Sequence, residues 1–185
     1  MNKHIYLLVL VVLIMSCSTG VEEKLGGIIN STIVFHEKDL FCWNSDSVYS
    51  ALLSADARLT LIVYADSSEC TQCYLSQMEH WRKYTELERT SNGLWRVIFI
   101  IEGKYSEIPK VDGMVGLKHP IYFDQEFSFR HFNPQIPPEH IFHTFLLDDD
   151  NKIILVGNPL RNERIESMLD SIIEKTTGIS VVNSQ

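Results

Sequence analysis

The sequence is short of positive charge. Its 185 residues include 16 Lys and Arg against 24 Asp and Glu, which gives a formal net charge of -8, and the basic residues form no run. Binding to nucleic acid requires clustered Lys or Arg that displace counterions, so we expect no nucleic-acid partner. Internal repeats and low-complexity tracts are also lacking. With 45% apolar and 22% charged residues, the composition is typical of one ordinary globular domain.

No apolar run is long enough to cross a bilayer as a helix. The run at 5–15 has eleven residues, whereas a membrane-spanning helix needs about 20. Behind the positive Lys3, a run of this length is typical of a signal peptide, which we predict over 1–16. It ends in Ile14-Met15-Ser16-Cys17, which resembles the lipobox of bacterial lipoproteins. The pattern predicts cleavage before Cys17 and diacylation of that residue; an ordinary signal peptide and an N-terminal helix are the alternatives.

The targeting pattern predicts a lipid-anchored protein of a bacterial cell envelope, facing the periplasm or the exterior. Residues 17–30 contain three glycines and the charged run Glu22-Glu23-Lys24, so we predict a solvated tether there. One folded domain is expected over 31–176 and a disordered tail over 177–185. The sequence leaves open which membrane holds the anchor and how many copies assemble.

Within the domain, strand and helix patterns alternate. Strands are predicted at 31–36, 59–65, 95–101, 119–123, 141–147 and 152–156. Helical segments are predicted at 46–55, from about 70 to 89, at 126–132 and at 160–176. The run at 59–65 is almost continuously apolar, which indicates a central strand buried on both faces. The polar link 148–151 joins the last two strands as a hairpin, so we expect an α/β fold with a mixed sheet.

The pair Cys70-Thr71-Gln72-Cys73 lies where the central strand gives way to a helix. By itself a C-x-x-C is a redox dithiol, half of a zinc site or a structural disulfide. No second C-x-x-C completes a four-cysteine zinc site. A helix N-terminus stabilises a thiolate, and the spacing brings Cys73 within disulfide reach of Cys70. This position favours a redox pair in which Cys70 is the nucleophile and Cys73 the resolving cysteine.

The stretches 61–73, 95–101, 144–148 and 152–157 resemble, in order and spacing, the thioredoxin-like family. The likeness is nearer to TlpA-like and peroxiredoxin-like thiol-disulfide proteins of bacterial envelopes, including lipoproteins of Bacteroides-type bacteria. The resemblance implies a three-layer α/β/α sandwich and thiol-disulfide exchange on protein or small-molecule thiols. It implies neither a dissociable cofactor nor a metal, and it assigns substrate binding to Phe142, His143 and Thr144.

Two positions depart from the family pattern. Glu69 stands where an aromatic residue usually precedes the first cysteine, and a carboxylate there opposes thiolate formation. Phe142 stands where the family has a cis-proline; because a non-proline cis bond costs about 2.5–4 kcal/mol, we expect a trans loop. The alternative is therefore a non-catalytic binding or assembly lipoprotein in which the disulfide is vestigial or structural. A less favoured alternative is a copper chaperone with Cys70, Cys73 and His143 as ligands.

The remaining candidates receive structural interpretations. His140 and His143 are expected at the surface or the edge of the core. Cys42, between Phe41 and Trp43, is predicted to be a buried inert thiol, with a third redox partner or an intermolecular disulfide as the alternative. The acidic run at 148–150 is interpreted as a solvated turn rather than a calcium site.

Overall fold

The computed structural model describes residues 20–43, 57–107 and 119–181. The strands are β1 (Leu40–Trp43), β2 (Leu59–Ala65), β3 (Trp95–Glu102), β4 (Ile121–Asp124), β5 (Thr144–Leu147) and β6 (Ile153–Val156). The helices are α1 (20–28), α2 (Thr71–Ser76), α3 (Arg82–Thr90), α4 (Ser128–Phe132) and α5 (Glu163–Thr177). The six strands form one sheet in the order β1-β4-β3-β2-β5-β6.

The predicted central strand is confirmed. All seven residues of β2 are buried, and β2 runs parallel to β3, with Leu59 opposite Trp95 and Ala65 opposite Ile101. The chain passes from β2 to β3 through α2 and α3, so the predicted parallel crossover is present. β4 adds a third parallel strand beside β3.

The predicted hairpin is also confirmed. β5 pairs antiparallel with both β2 and β6. Its turn contains Asn151 with a φ of 58°, a left-handed conformation that asparagine tolerates better than most residues. The sheet is therefore mixed, with three parallel strands and an antiparallel pair beside them.

Alternating residues of β2 point into two separate cores. Leu61 and Val63 pack with the side chains of α2, α3 and α5 on one face. Ile62 and Tyr64 pack with those of α1 and α4 on the other face. Period-two alternation in a strand covered on both sides produces this division. The predicted three-layer α/β/α sandwich is confirmed.

The strand predicted at 31–36 was wrong. Only a single bridge, Thr32 to Lys152, forms there. The backbone amide of Ile33 donates to the carbonyl of Asn151 in the hairpin turn, and that of Val34 donates to the side chain of Asn133. The amides are satisfied by a turn and a side chain rather than by a ladder, which leaves β1 as the edge strand that pairs with β4.

The helix predicted from about 70 to 89 is divided. α2 ends at Ser76, and a 3₁₀ turn over Met78–Trp81 precedes α3. Residues three apart eclipse one another in a 3₁₀ turn, which places Met78 and Trp81 on one side, where both are buried. The segment predicted as a helix at 46–55 lies outside the described residues.

The chain on either side of the predicted domain also differs from expectation. Residues 20–28 of the predicted tether are helical, and Ile28 is 3% exposed in the core. Within the predicted tail, Ile179 and Val181 pack against the other core. Burial of their apolar side chains stabilises these two segments on the domain, even beside glycines and charged residues. No helix within the described ranges combines the length and apolar character that crossing a membrane requires.

Candidate functional site

The two cysteines of the C-x-x-C form a disulfide at the end of the central strand. Cys70 is the N-cap of α2, and the Cα atoms of Cys70 and Cys73 are 5.2 Å apart. The backbone N–H of Cys73 donates to Sγ of Cys70 at 3.3 Å. Both cysteines are exposed. The predicted strand-to-helix position therefore leaves both cysteines at the surface, and the sulfur of the first accepts a backbone N–H.

The loop between β2 and Cys70 is held by two buried carboxylates. Asp66, 4% exposed, accepts hydrogen bonds at Oδ1 from the backbone N–H of Ser68 at 3.0 Å and from its hydroxyl at 2.6 Å. Glu102, at the end of β3, accepts from the backbone N–H of Ser67 at 2.8 Å and from the hydroxyl of Tyr64 at 2.9 Å. The loop is thus fixed by hydrogen bonds that do not involve the disulfide.

Asp66 is held in its ionised form. Burial on its own would raise the pKa of this carboxyl, but the two hydrogen bonds from Ser68 and the nearby imidazoles of His143 and His140 more than offset it, so the pKa lies below its ordinary value. The guanidinium of Arg130, from α4, also donates to Asp66 Oδ2 at 3.2 Å. Asp66 is therefore a buried anion with several donors.

Glu69, the carboxylate beside Cys70, faces His143. Its Oε1 lies 3.6 Å from Nδ1 of that histidine. The imidazole of His143 is 2% exposed and meets the ring of Tyr64 edge-on, with centroids 5.0 Å apart. The expected surface or core-edge position holds for exposed His140, whereas His143 is buried. The Glu69 carboxylate is therefore directed to an imidazole as well as lying next to Cys70 in sequence.

One group of metal-ligating side chains comes together in the part of the chain that the structure describes. Ligand atoms of Asp66, Glu69 and His140 all lie within 4.8 Å of one another. The alternative copper set of Cys70, Cys73 and His143 does not correspond to this group, and both sulfurs are joined to each other here. His143 instead presents Nδ1 to Glu69 and Nε2 to the carbonyl of Pro137 at 3.1 Å.

A cleft of about 240 Å³ has in its wall Glu69 and Tyr74, the two residues that flank the C-x-x-C in sequence. Glu69 and Tyr74 on the cysteine side, His140, His143 and Thr144 on the β5 side, and Leu160 with Arg161 near α5 contribute to its walls. Burial first, and then the charge of Glu69, raise the pKa of Tyr74 well above its ordinary value, so Tyr74 remains a neutral phenol. The cleft therefore offers polar and apolar contacts next to the residues that flank Cys70 and Cys73.

The three residues to which we assigned substrate binding have different positions. His143 and Thr144 line the cleft, whereas Phe142 is 2% exposed and packs in the core with Phe145. The described residues contain no cis peptide bond, which confirms the expected trans loop at Phe142. The carbonyl of His143 accepts from the backbone N–H of Tyr64 at 2.9 Å, so the loop continues the pairing of β5 with β2.

The third described cysteine is remote from this site. Cys42 is half-buried on edge strand β1, which is separated from β2 by β4 and β3. With strands about 4.8 Å apart, Cys42 lies roughly 14 Å across the sheet from β2. This separation argues against its role as a third redox partner of Cys70 and Cys73. Cys17 lies outside the described residues.

Sequence reasoning missed most of the environment of the cysteines. Asp66 was detectable, because it directly follows a fully buried strand. Arg130, Glu102 and the residues near α5 gave no signal, because each lies at least thirty positions from Cys70 along the chain and is brought there only by folding.

Comparison with known proteins gives likenesses of fold only. No protein-family model and no curated protein matches the sequence. Among solved structures, a thioredoxin-like protein from Bacteroides caccae has 12% identity and a TM-score of 0.49 over 77% of this chain, which spans 50% of that protein. The C-terminal domain of an uncharacterized Bacteroides fragilis protein has 14% identity and a TM-score of 0.48, covering 76% of this chain and 96% of that one. Peroxiredoxin Q from Xanthomonas campestris has 9% identity and a TM-score of 0.47, covering 69% and 85%.

The strand order and connections described above are those of a thioredoxin-like fold. The parallel pair β3-β2, the antiparallel hairpin β5-β6 and the following helix α5 occur in the expected order, with the C-x-x-C between β2 and α2. A fold of this kind hosts more than one activity, so the function has to be argued from the residues of the site.

Proposed function

We propose that this protein is a thiol-disulfide oxidoreductase of the bacterial cell envelope, which uses Cys70 and Cys73 on protein or small-molecule thiols. The observation that carries the proposal is the exposed disulfide at the strand-to-helix junction, whose first sulfur accepts the N–H of Cys73. An exchangeable disulfide must be reachable by an incoming thiolate, and the Cys70 sulfur, which is released from the mixed disulfide, must be stabilised as a thiolate. Both conditions are favoured by this geometry.

The exchange balances without a cofactor. A substrate thiolate attacks Sγ of Cys70, a substrate–Cys70 disulfide forms, the Cys70–Cys73 bond breaks, and Cys73 leaves as a thiolate that takes up a proton. A second substrate thiolate then attacks the substrate sulfur of this mixed disulfide and releases Cys70. The substrate dithiol loses two electrons and two protons, and the cysteine pair gains them. The reverse sequence reduces a substrate disulfide.

The N-cap position supports Cys70 as the sulfur that exchanges with substrate. Its sulfur accepts the N–H of Cys73, and a hydrogen bond to the charged form favours a thiolate. Glu69 opposes this, but its carboxylate also faces the imidazole of His143. The cleft that contains His143 and Thr144 gives a substrate segment a surface on which to lie beside Cys70.

The competing proposal is a binding lipoprotein in which the disulfide is structural. A structural disulfide is usually buried and holds a loop that has few other restraints. Here both cysteines are exposed, and hydrogen bonds to Asp66 and Glu102 already fix the preceding loop. These observations favour exchange over a structural role.

Insulin reduction by dithiothreitol tests the proposal. The wild-type chain should accelerate the reaction, Cys70→Ser should abolish the acceleration, and Cys42→Ser, which removes the remote thiol, should retain it. A Cys73→Ser variant should accumulate mixed disulfides with substrate through Cys70, visible by mass spectrometry and reversed by excess dithiothreitol. If the wild type gives no acceleration and Cys73→Ser traps nothing, the structural role is correct instead.

The proposed location rests on the targeting pattern of residues 1–17. A lipid on Cys17 would hold the domain at a membrane surface, on the periplasmic or external side, where disulfides persist. The partners of the protein would then be the membrane, through the lipid, and thiols or disulfides of that compartment.

A further inference from the structure

A buried imidazole nitrogen at this site has no hydrogen-bond partner. Nδ1 of His143 is inaccessible to solvent and makes no hydrogen bond within the described part of the chain. Such a group is costly unless a partner satisfies it, because a buried polar atom loses its hydration. The Oε1 atom of Glu69 is 3.6 Å away, which is beyond a good hydrogen bond.

The hydrogen bond made by the other ring nitrogen, Nε2, determines whether Nδ1 of the neutral ring carries a proton or a lone pair. Nε2 of His143 lies 3.1 Å from the carbonyl oxygen of Pro137, and a carbonyl only accepts hydrogen bonds. In the neutral ring the proton is therefore on Nε2, and Nδ1 directs a lone pair towards a carboxylate oxygen. Two acceptors that face each other repel, so the pair calls for a positive charge between them. A histidine whose second N–H donates to a backbone carbonyl is the usual arrangement of a metal ligand.

Three groups beside His143 lie close enough to share one ion, because ligand atoms of Asp66, Glu69 and His140 are all within 4.8 Å of one another. Two ligands bound at about 2.1 Å to one metal ion are about 3.0–3.4 Å apart in octahedral or tetrahedral geometry. Nδ1 of His143 and Oε1 of Glu69 are 3.6 Å apart, and Nε2 of His140 and Oδ1 of Asp66 are 3.8 Å apart. Nε2 of His140 also lies 3.1 Å from the hydroxyl of Ser68, a contact that a bound metal ion would replace. His140 is exposed, so an ion in solvent can reach its side chain.

The chemistry of the donors selects the class of ion. One imidazole with two carboxylates suits zinc and similar divalent transition metals, whereas calcium and magnesium prefer oxygen donors alone. The two carboxylates are balanced by a single guanidinium, that of Arg130 on Asp66. Ser68 donates twice to Asp66 and so orients this carboxylate from behind.

We propose that Asp66, Glu69 and His140 form a binding site for a divalent transition-metal ion such as Zn²⁺, next to the C-x-x-C and made without either cysteine, with Nδ1 of His143 facing the Glu69 ligand. The site is independent of the exchange activity, because none of its three ligands is a thiol. It differs from the expectation that the protein binds no metal.

Zinc titration of the full-length chain, in detergent, without a histidine tag and with Cys70–Cys73 oxidised, tests the proposal. In competition with a chromophoric chelator, the wild type should take up one Zn²⁺ per chain. His140→Ala and Glu69→Gln should each weaken uptake at least about tenfold. The matched controls His131→Ala and Asp149→Asn change an exposed histidine and an exposed carboxylate elsewhere, and both should bind as the wild type does.

Two further measurements distinguish this site from a metal held by a cysteine or bound elsewhere on the surface. Co²⁺ bound at the site should show weak visible bands without the strong near-ultraviolet band of a thiolate ligand; a thiolate band would place the metal on a cysteine and overturn the proposal. His143→Gln, checked for folding by circular dichroism, should also weaken uptake. Equal uptake by the wild type, His140→Ala and Glu69→Gln would likewise overturn the site. Loss of insulin reduction would leave these results unchanged, since the cysteines are oxidised throughout.

Discussion

Asp66 connects the central strand with the loop that carries the cysteines. It is buried at the end of β2, and its two oxygens accept from Ser68 and Arg130. A buried carboxylate that receives several donors stabilises the fold in its charged form, because protonation removes part of that attraction. Asp66 therefore holds the conformation of the loop and, in our proposal, is also a ligand of the metal ion.

We expect Asp66→Asn to lower the free energy of unfolding at pH 7 by about 1–3 kcal/mol, as for hydrogen bonds to a charged group. Because the pKa of Asp66 is lowered in the fold, its contribution is complete above the ordinary carboxyl pKa and is lost as the pH falls through the folded value. The gap between variant and wild type should therefore shrink at pH 3. Urea denaturation with EDTA present measures it, and Asp149→Asn is the control. A gap that is equal or larger at pH 3 would contradict the assignment.

The helix α1 belongs to the folded domain. After it ends, the amide of Asn30 donates to the carbonyl of Ile153, and the carbonyl of Ser31 accepts from the amide of Ile153. These bonds place the segment along edge strand β6, whose backbone would otherwise be unpaired on that side. Ile28 then enters the core that α1 shares with α4.

Truncation of the buried Ile28 side chain tests whether residues 20–28 form a helix docked on the domain or a tether. Ile28→Ala should cost about 2 kcal/mol of stability, near the low end of buried Ile-to-Ala changes because the segment lies at the edge of the domain. Val21→Ala, on the same helix and 41% exposed, should change stability by less than about 0.5 kcal/mol. Thermal and urea unfolding provide the measurement. Equal effects of the two substitutions would mean that residues 20–28 do not dock.

The whole domain gathers its polar chemistry at one end of the sheet. β2, β3 and β4 are parallel and finish there, at Ala65, Glu102 and Asp124, and β5 begins there opposite Val63. Loops at the carboxyl ends of parallel strands commonly carry the binding sites of α/β folds. The cysteines, the cleft and the proposed metal ligands all lie at this end. In our proposals, substrate and metal ion would therefore bind at the same surface.

We expect Cys17→Ala, which removes the proposed lipid acceptor, to move the protein from the membrane fraction to the soluble fraction. Stable attachment in our proposal comes from acyl chains, which this variant lacks. Fractionation of cells and mass spectrometry of the N-terminus measure the change. A Cys42→Ser variant, which alters a cysteine within the domain, should remain with the membrane. Membrane attachment of Cys17→Ala with an unmodified wild-type N-terminus would overturn the anchor.

The prediction of the fold succeeded where local patterns are strong. The continuous apolar run of β2, the polar turn of the hairpin at 148–151 and the helical periodicity of α5 were identified because each is a pattern of neighbouring residues. β1 was missed: its four residues are only partly buried and show no alternation. The segment 31–36 has strand-like residues, but its partners are a turn and an asparagine side chain, which no local pattern reveals.

The prediction of the site succeeded for the two cysteines and failed for the positions of Phe142 and His143. Cys70 and Cys73 followed from the position of the C-x-x-C, whereas the burial of Phe142 in the core and the interior position of His143 did not follow from the loop sequence. Histidine occurs both inside and outside proteins, so its type alone does not decide.

The order of elements and the reach between Cys70 and Cys73 were determined by the sequence, because periodicity and three-residue spacing act over a few neighbouring residues. The surroundings of those cysteines were decided by the tertiary structure. Glu69 meets His143, and Asp66 meets Arg130, only because strand order brings the loop after β2, the helix after β4 and the start of β5 to the same end of the sheet. Contacts between residues more than sixty positions apart depend on the packing of the whole core, and patterns of neighbouring residues do not predict that packing.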